Sequence, residues 1–221
     1  KRASASASEG VSALQIAEGG ISQLTDTLIR MRELTMQAAN ETLASSDRYI
    51  LQSELSQLKL EIDRISETTK YGSVNLLNGN LSINGMNLQI GLNNSASDRL
   101  TIFIQNVGSE ALGSGTFLNS ISIASSASQA AAMLQYIDIA IDQVSLVRSN
   151  IGTSISRLEK VAQSQNIMFQ NLTRGLSSIS DVDVAEETSE MTKNNVLVQA
   201  GISVLSQANS LSQRALQLLQ G

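Results

Sequence analysis

Two interleaved rows of apolar residues, each with a period of seven, constrain this chain more than any other feature. One row is Ile137, Val144, Ile151, Leu158, Gln165, Leu172 and Ile179. The other lies three residues earlier in each heptad: Leu134, Ile141, Arg148, Ile155, Ala162, Phe169 and Leu176. Only Gln165 and Arg148 break the rows. Residues three, four and seven apart share one face of an α-helix, so the pattern predicts a single coiled-coil helix over about 126–179. At about 1.5 Å per residue such a helix is roughly 80 Å long. Its partners must therefore be long helices as well. Arg148 is read as snorkelling out of the seam, or as pairing with an acid such as Asp138 or Glu159.

The rest of the chain supplies such partners. Leu14, Ala17, Ile21, Leu24, Leu28, Met31 and Ala38 follow alternating steps of three and four with one step of seven, predicting a helix over about 8–40. Gly19-Gly20 within it implies close packing or a bend, because each glycine costs about 1 kcal/mol against alanine. Ser46-Asp47 offers an N-cap to a second helix over about 47–69, with its stripe at Leu51, Leu55, Leu58, Ile62 and Ile65. The period then changes. Leu81 to Gly91 alternates apolar and polar with Asn84-Gly85 as a turn signal, Asn93 to Asp98 is rich in turn residues, and Leu100 to Ile104 is β-branched and aromatic. This predicts a β-hairpin region within about 74–125, with a Ser- and Gly-rich link from Asn106 to Ser128 and a short strand at Ile121-Ser122-Ile123.

Ser180 to Asp183 reads as a polar break with capping chemistry; a metal pair at Asp181 and Asp183 lacks further ligands at calcium-loop spacing. A last helix, about 184–219, places Val184, Met191, Val198, Leu205 and Leu219 on a seven-residue repeat, and Leu197, Ile202, Val204, Leu211, Leu216 and Leu218 on other sides. Its apolar surface exceeds what one seam can cover. Either it folds back on the rod or it is buried by other molecules. The expected architecture is thus mainly α: an elongated antiparallel coiled-coil rod (1–179) with a small β-hairpin region, and a C-terminal helix (180–221).

Composition removes most chemistries. The 221 residues include no Pro, Cys, His or Trp, and aromatics are 3% of the total. No imidazole base, thiolate, disulfide or usual zinc or haem ligand set can be built, so no cofactor or metal is expected. An enzyme using paired carboxylates is the remaining catalytic class, and no Gly-rich phosphate loop or acid cluster off the helical solvent faces supports it. With 15 basic and 20 acidic residues the net charge is −5 and no basic patch stands out, which argues against nucleic acid. No apolar run suggests a membrane span, and no apolar signal region follows Lys1-Arg2.

Several segments resemble bacterial flagellins. Thr27-Leu28-Ile29-Arg30-Met31-Arg32-Glu33-Leu34-Thr35-Met36-Gln37-Ala38-Ala39-Asn40 is similar to the family's Arg-x-Arg-Glu-Leu-x-x-Gln-x-Ala-Asn segment. Glu61-Ile62-Asp63-Arg64-Ile65-Ser66 and Asn75-Leu76-Leu77-Asn78-Gly79 follow in the family's order, as do Asp181 to Glu187, Gln207-Ala208-Asn209 and Leu216 to Leu219. Three departures stand out: Ala7-Ser8-Glu9-Gly10 resembles a segment inside the family's first long helix, so an N-terminal arm is expected to be missing; Ser212 stands where Pro is common; and the short link after the hairpin leaves no room for the outer variable domains.

The resemblance implies a secreted structural subunit of the flagellar filament, exported unfolded and polymerised for motility. Without the arm, the chain alone is not expected to build a normal filament. Implied partners are copies of itself, an export chaperone binding 184–219, and filament cap and hook-junction proteins. A hook–filament junction protein, or a secreted helical module that never polymerises, are the alternatives. The C-terminal helix (180–221) is expected to line the inner tube of the filament, with Val184, Met191, Val198, Ile202, Leu205, Leu216 and Leu219 as the packing and chaperone residues. The resemblance further implies recognition by vertebrate Toll-like receptor 5 through Arg30, Leu34 and Glu54, with Glu33 and Gln37 beside them. By pattern alone Leu34 belongs to the seam, and Arg30 and Glu54 are surface charges.

Overall fold

The computed structural model describes residues 2–91, 95–113, 116–180 and 184–219, without the side chains of 180, 184, 185, 213 and 215–219. The chain divides into two compact units, Lys1–Phe169 and Gln170–Gly221. The expected polar break at Asp181 to Asp183, including its capping role, and the turn residues Asn93 and Asn94 fall outside the described residues.

The first unit is built on α1 (Arg2–Ala38), α2 (Ser45–Thr68) and most of α4 (Ala127–Ser180). The α1 stripe is buried as the spacing predicts, and the helix starts six residues earlier, with Ala3 and Ala7 also covered. Paired residues fix the directions of the helices. Ser4 bonds Asn166, Glu18 approaches Arg148 and Arg32 bonds Asp138, so α1 and α4 run antiparallel. Arg30 bonds Glu54 and Arg48 bonds the Ala38 carbonyl, so α1 and α2 do too. The α4 seam is buried at Ile137, Val144, Ile151 and Leu158 and joins one core with Leu14, Ile21, Leu24, Leu28, Leu55 and Ile62. Gln165, the interruption in that row, donates to the Ile90 carbonyl at 3.0 Å. Contrary to expectation, α4 carries an 18-residue stretch of mean hydropathy 1.2, apolar and long enough for a membrane by composition. Of that stretch 28% is buried.

Gly20 and Gly19 differ sharply. Gly20 is buried, and a Cβ there would lie 2.7 Å from Thr69 Oγ1 and 2.9 Å from Leu77 Cδ1, whereas nothing lies within 4 Å of one on exposed Gly19. Close packing, not a bend, explains the pair, and it acts through one member. Gly20→Ala should cost about 1–3 kcal/mol by overpacking, and Gly19→Ala should stabilise by about 0.5–1 kcal/mol through helix propensity. Urea midpoints of the two variants check this directly.

Three local expectations are corrected. Ser46-Asp47 does not cap α2; Ala44 occupies the N-cap without a side-chain bond, and Asp47 lies in the first turn, where the helix dipole favours an acid. Leu81-Ser82-Ile83 is not strand but α3 (Asn80–Ile83), a single turn. The Asn78 side-chain oxygen accepts the Asn80 amide, and Gly79 takes φ +91°, so local turn chemistry wins over the alternation. The hairpin itself is β3 (Met86–Gln89) paired antiparallel with β4 (Arg99–Ile102), Met86 opposite Ile102 and Gln89 opposite Arg99. A smaller hairpin that the sequence pattern did not announce, β1 (Lys70–Tyr71) with β2 (Val74–Asn75), turns through Gly72 at φ +59°. Finally, Ile121 and Ile123 are buried without forming a strand.

That last link is held by side chains. Along one face of α2, Gln52 accepts the Ile123 amide (2.7 Å), Lys59 donates to the Asn119 carbonyl (3.1 Å) and to that of Ile121, and Asp63 accepts the Ser109 amide and hydroxyl (both 2.8 Å). Gln143 of α4 accepts the Gly113 amide at 2.9 Å. Buried backbone groups need partners, and here α2 supplies what a neighbouring strand otherwise would. Half-burial lowers the Lys59 pKa from its ordinary value.

Candidate interaction surfaces

The five residues expected at a receptor surface separate into two groups. Arg30, Glu33 and Gln37 are exposed on α1, and Glu54 is exposed on α2. Leu34 is not: it is 1% exposed and part of the core. The reason is angular. On α1 the buried stripe passes through Leu28, Met31, Leu34, Thr35 and Ala38, and Leu34 lies on its side of the boundary while Arg30, one turn earlier, lies outside it. Leu34 therefore presents no open apolar face on this fold.

Arg30 is the centre of an ion cluster. Its Nε and Nη2 donate to Glu54 Oε1 at 2.9 and 2.7 Å, and Nη1 donates to Glu33 Oε2 at 3.1 Å. The bond to Glu54, then that to Glu33, raises the guanidinium pKa further above its ordinary value. The cluster ties α1 to α2 at the surface, where solvent and salt screen it. Gln37 continues the same exposed side. Arg148 emerges from the α4 seam, half-exposed, and sits 3.5 Å from Glu18 of α1. The acids named for it from sequence are engaged elsewhere or lie on its own helix; Asp138 bonds Arg32 at 2.6 Å.

The second surface belongs to α5 (Val184–Leu219) and the end of α4. Met191, Val198, Ile202 and Leu205 are all exposed, Ile202 by 62%. Val196, Leu197, Val204 and Leu211 are exposed around the rest of the helix, as are Leu172, Leu176 and Ile179 at the end of α4. The side chains of Val184, Leu216 and Leu219 lie outside the described residues. Glu186 and Glu187 in the first turn of α5 suit the helix dipole. Among the described residues no three His, Cys, Asp or Glu side chains gather at one place.

Sequence reasoning missed the polar residues of α2 that face inward. Gln52, Lys59 and Asp63 are spaced seven and four apart, which is a helical face and could have been read as one. Arg48 had no such signal, because the carbonyls it binds are backbone.

The chain thus combines a helical unit with a filled core and, after it in sequence, a helix whose described apolar side chains are exposed. Comparisons with known proteins identify the kind. The bacterial flagellin N-terminal helical region matches residues 1–82, and the bacterial flagellin C-terminal helical region matches residues 134–219. Flagellin of Bacillus subtilis (strain 168) is 35% identical over 243 aligned residues, covering 99% of this chain and 80% of that protein. A flagellar filament core protein of Brachyspira hyodysenteriae is 34% identical over 221 residues, covering 96% and 77%. The crystal structure of Bacillus cereus flagellin superposes with a TM-score of 0.58 at 26% identity, over 72% of this chain and 86% of that one. The chain belongs to the bacterial flagellin family. It is a structural subunit of the flagellar filament and so a secreted component of the flagellum.

Proposed function

We propose that α5 and the end of α4 form the assembly surface of this filament subunit, and that the protein works by packing alone, without catalysis. The observation that carries this is the exposure of Met191, Val198, Ile202 and Leu205 on a helix outside the core of the first unit. A helix without tertiary burial is marginally stable, so the chain can be exported with α5 unfolded and order it on contact with neighbouring copies, where burial offsets the ordering entropy. The same face, over 184–219, serves an export chaperone beforehand and filament cap and hook-junction proteins afterwards. The test is seeded assembly: chain added to sheared flagellin filaments should enter the pellet, with residues of α5 becoming protected from proteolysis. Pelleting with α5 still cleaved at the free rate would count against the assignment.

For Toll-like receptor 5 we propose a polar surface: Arg30, Glu33, Gln37 and Glu54, without direct contact from Leu34. Glu54→Ala removes the partner of two Arg30 donors at an exposed position, so it should reduce reporter-cell signalling while leaving thermal unfolding nearly unchanged. Leu34→Ala should instead lower stability by about 2–5 kcal/mol through the cavity it leaves. Full signalling by Glu54→Ala and Arg30→Ala would remove the receptor reading.

A further inference from the structure

Two Asn-Gly pairs flank α3, and the fold treats them in opposite ways. At Asn78-Gly79 the Asn78 side-chain oxygen accepts the Asn80 amide at 3.2 Å. The Gly79 carbonyl accepts both the amide and the hydroxyl of Ser82, at 3.0 and 2.6 Å. Asn106 packs against Gly79, where a Cβ would lie 3.0 Å from its own Cβ. Asn78 is half-buried. At Asn84-Gly85 the glycine is packed as closely, a Cβ there colliding with Thr101 Cγ2 and lying 3.1 Å from Phe103 Cε1, but the asparagine side chain is not held. Asn84 is exposed, ends a helix of four residues, and its carboxamide is bonded to no described residue. Gly85 takes φ +62°, with no Cβ to shield its nitrogen.

We propose that Asn84 is an intrinsic modification site, converted to aspartate and isoaspartate by cyclisation onto the Gly85 nitrogen, while Asn78 is protected by its turn. The Gly85 amide gives its proton to hydroxide, and the nitrogen attacks the Asn84 side-chain carbonyl carbon. The carbon–nitrogen bond of the carboxamide breaks and ammonia leaves, closing a succinimide ring. Water then opens the ring at either carbonyl. The net change is amide and water to carboxylate and ammonium, with nothing oxidised or reduced.

Geometry decides which pair reacts. Attack requires Asn84 to rotate from its ψ of −20°, and that motion breaks no side-chain bond of Asn84, although Gly85 must shift against Thr101. The same rotation at Asn78 also breaks the turn bond from the Asn80 amide to the Asn78 side chain, and that bond is what separates the two sites. The position gives the reaction a consequence. Isoaspartate routes the backbone through the side-chain carbons, inserting a methylene just before β3, the strand whose Leu88 packs over Gly10 of α1. A carboxylate is added at the same point. Each chain thereby acquires, irreversibly, a loosened hairpin that marks its age.

The experiment is a time course of the full chain in mildly alkaline buffer, folded and in urea, with isoaspartyl methyltransferase labelling and peptide mass mapping. In the folded chain residue 84 should convert within a few-fold of its rate in urea, and residue 78 should be slowed roughly tenfold or more. Asn84→Gln should abolish labelling at 84 and leave 78 unaltered. Conversion at 78 equal to or faster than at 84 in the folded chain would overturn the proposal. So would equal slowing of both sites on folding.

Discussion

A chain carrying Ile202→Asp and Leu205→Asp keeps a normal first unit and loses its ability to join filament seeds. The two residues are three apart on α5, exposed, and in line with Met191 and Val198. Each apolar side chain of this size contributes about 1.5–3 kcal/mol when buried, and a carboxylate placed in the same desolvated contact adds a penalty of its own. Since about 1.4 kcal/mol is tenfold in an equilibrium constant, the pair should raise the concentration needed for pelleting by at least about a hundredfold. The far-ultraviolet melt of the first unit should not move, because neither residue belongs to its core. Pelleting by the double variant at the same concentration as the parent chain would show that other surfaces drive assembly.

Arg48→Met is expected to destabilise the first unit by about 2–4 kcal/mol, a large share of the stability of a typical domain. Arg48 is 7% exposed, and its Nε and Nη2 donate to the carbonyls of Ala38 and Asn40, at 3.0 and 3.1 Å. Ala38 is the last residue of α1, where the helix has no donors of its own and its dipole is negative, and Asn40 follows two residues on, its carbonyl also accepting the Leu43 amide at 3.2 Å. Methionine keeps the length of the side chain, removes both Arg48 bonds and leaves the Ala38 carbonyl without that donor, so the loss measures hydrogen bonding and charge more than volume. Arg48→Lys should recover part of it, since an ammonium lacks the planar fork that reaches both oxygens. The readout is the urea midpoint at unchanged slope. A shift below about 0.5 kcal/mol, ordinary for a surface position, would contradict the capping role.

The long helices were legible because their cores use a period that only a helix satisfies. The α1 stripe from Leu14 to Ala38, Leu51, Leu55, Ile62 and Ile65 of α2, and Ile137, Val144, Ile151 and Leu158 of α4 are buried as their spacing predicts. Leu58 and the second α4 row at Leu134, Ile141, Ile155 and Ala162 are only half-buried. The failures lie where polar groups decide. Leu81 to Ile83 alternates like a strand, yet Asn78 and Gly79 fold it into a turn, a local bond that apolar periodicity does not record. Ile121 and Ile123 are buried like strand residues but take their backbone bonds from Lys59 and Gln52, more than sixty positions away. Leu34 illustrates the reverse case. The seam pattern placed it inside, family resemblance placed it at a binding surface, and its burial follows the pattern. Arg30 and Glu54 were legible as exposed charges, but their pairing across two helices was not, because register between helices is set by the whole seam.

Hydrogen exchange on the dilute, unassembled chain tests the central claim most directly. Amides of Leu24, Leu28 and Ile62 lie in the core and should exchange only through global opening of the first unit. Amides from Met191 to Leu211, in a helix held by little beyond its own propensity, should exchange at close to unfolded rates and become protected after addition of filament seeds. Protection of Met191 to Leu211 in the free chain equal to that of the α1 core would mean that α5 is already buried before assembly, and its apolar faces would then not be what joins one subunit to the next.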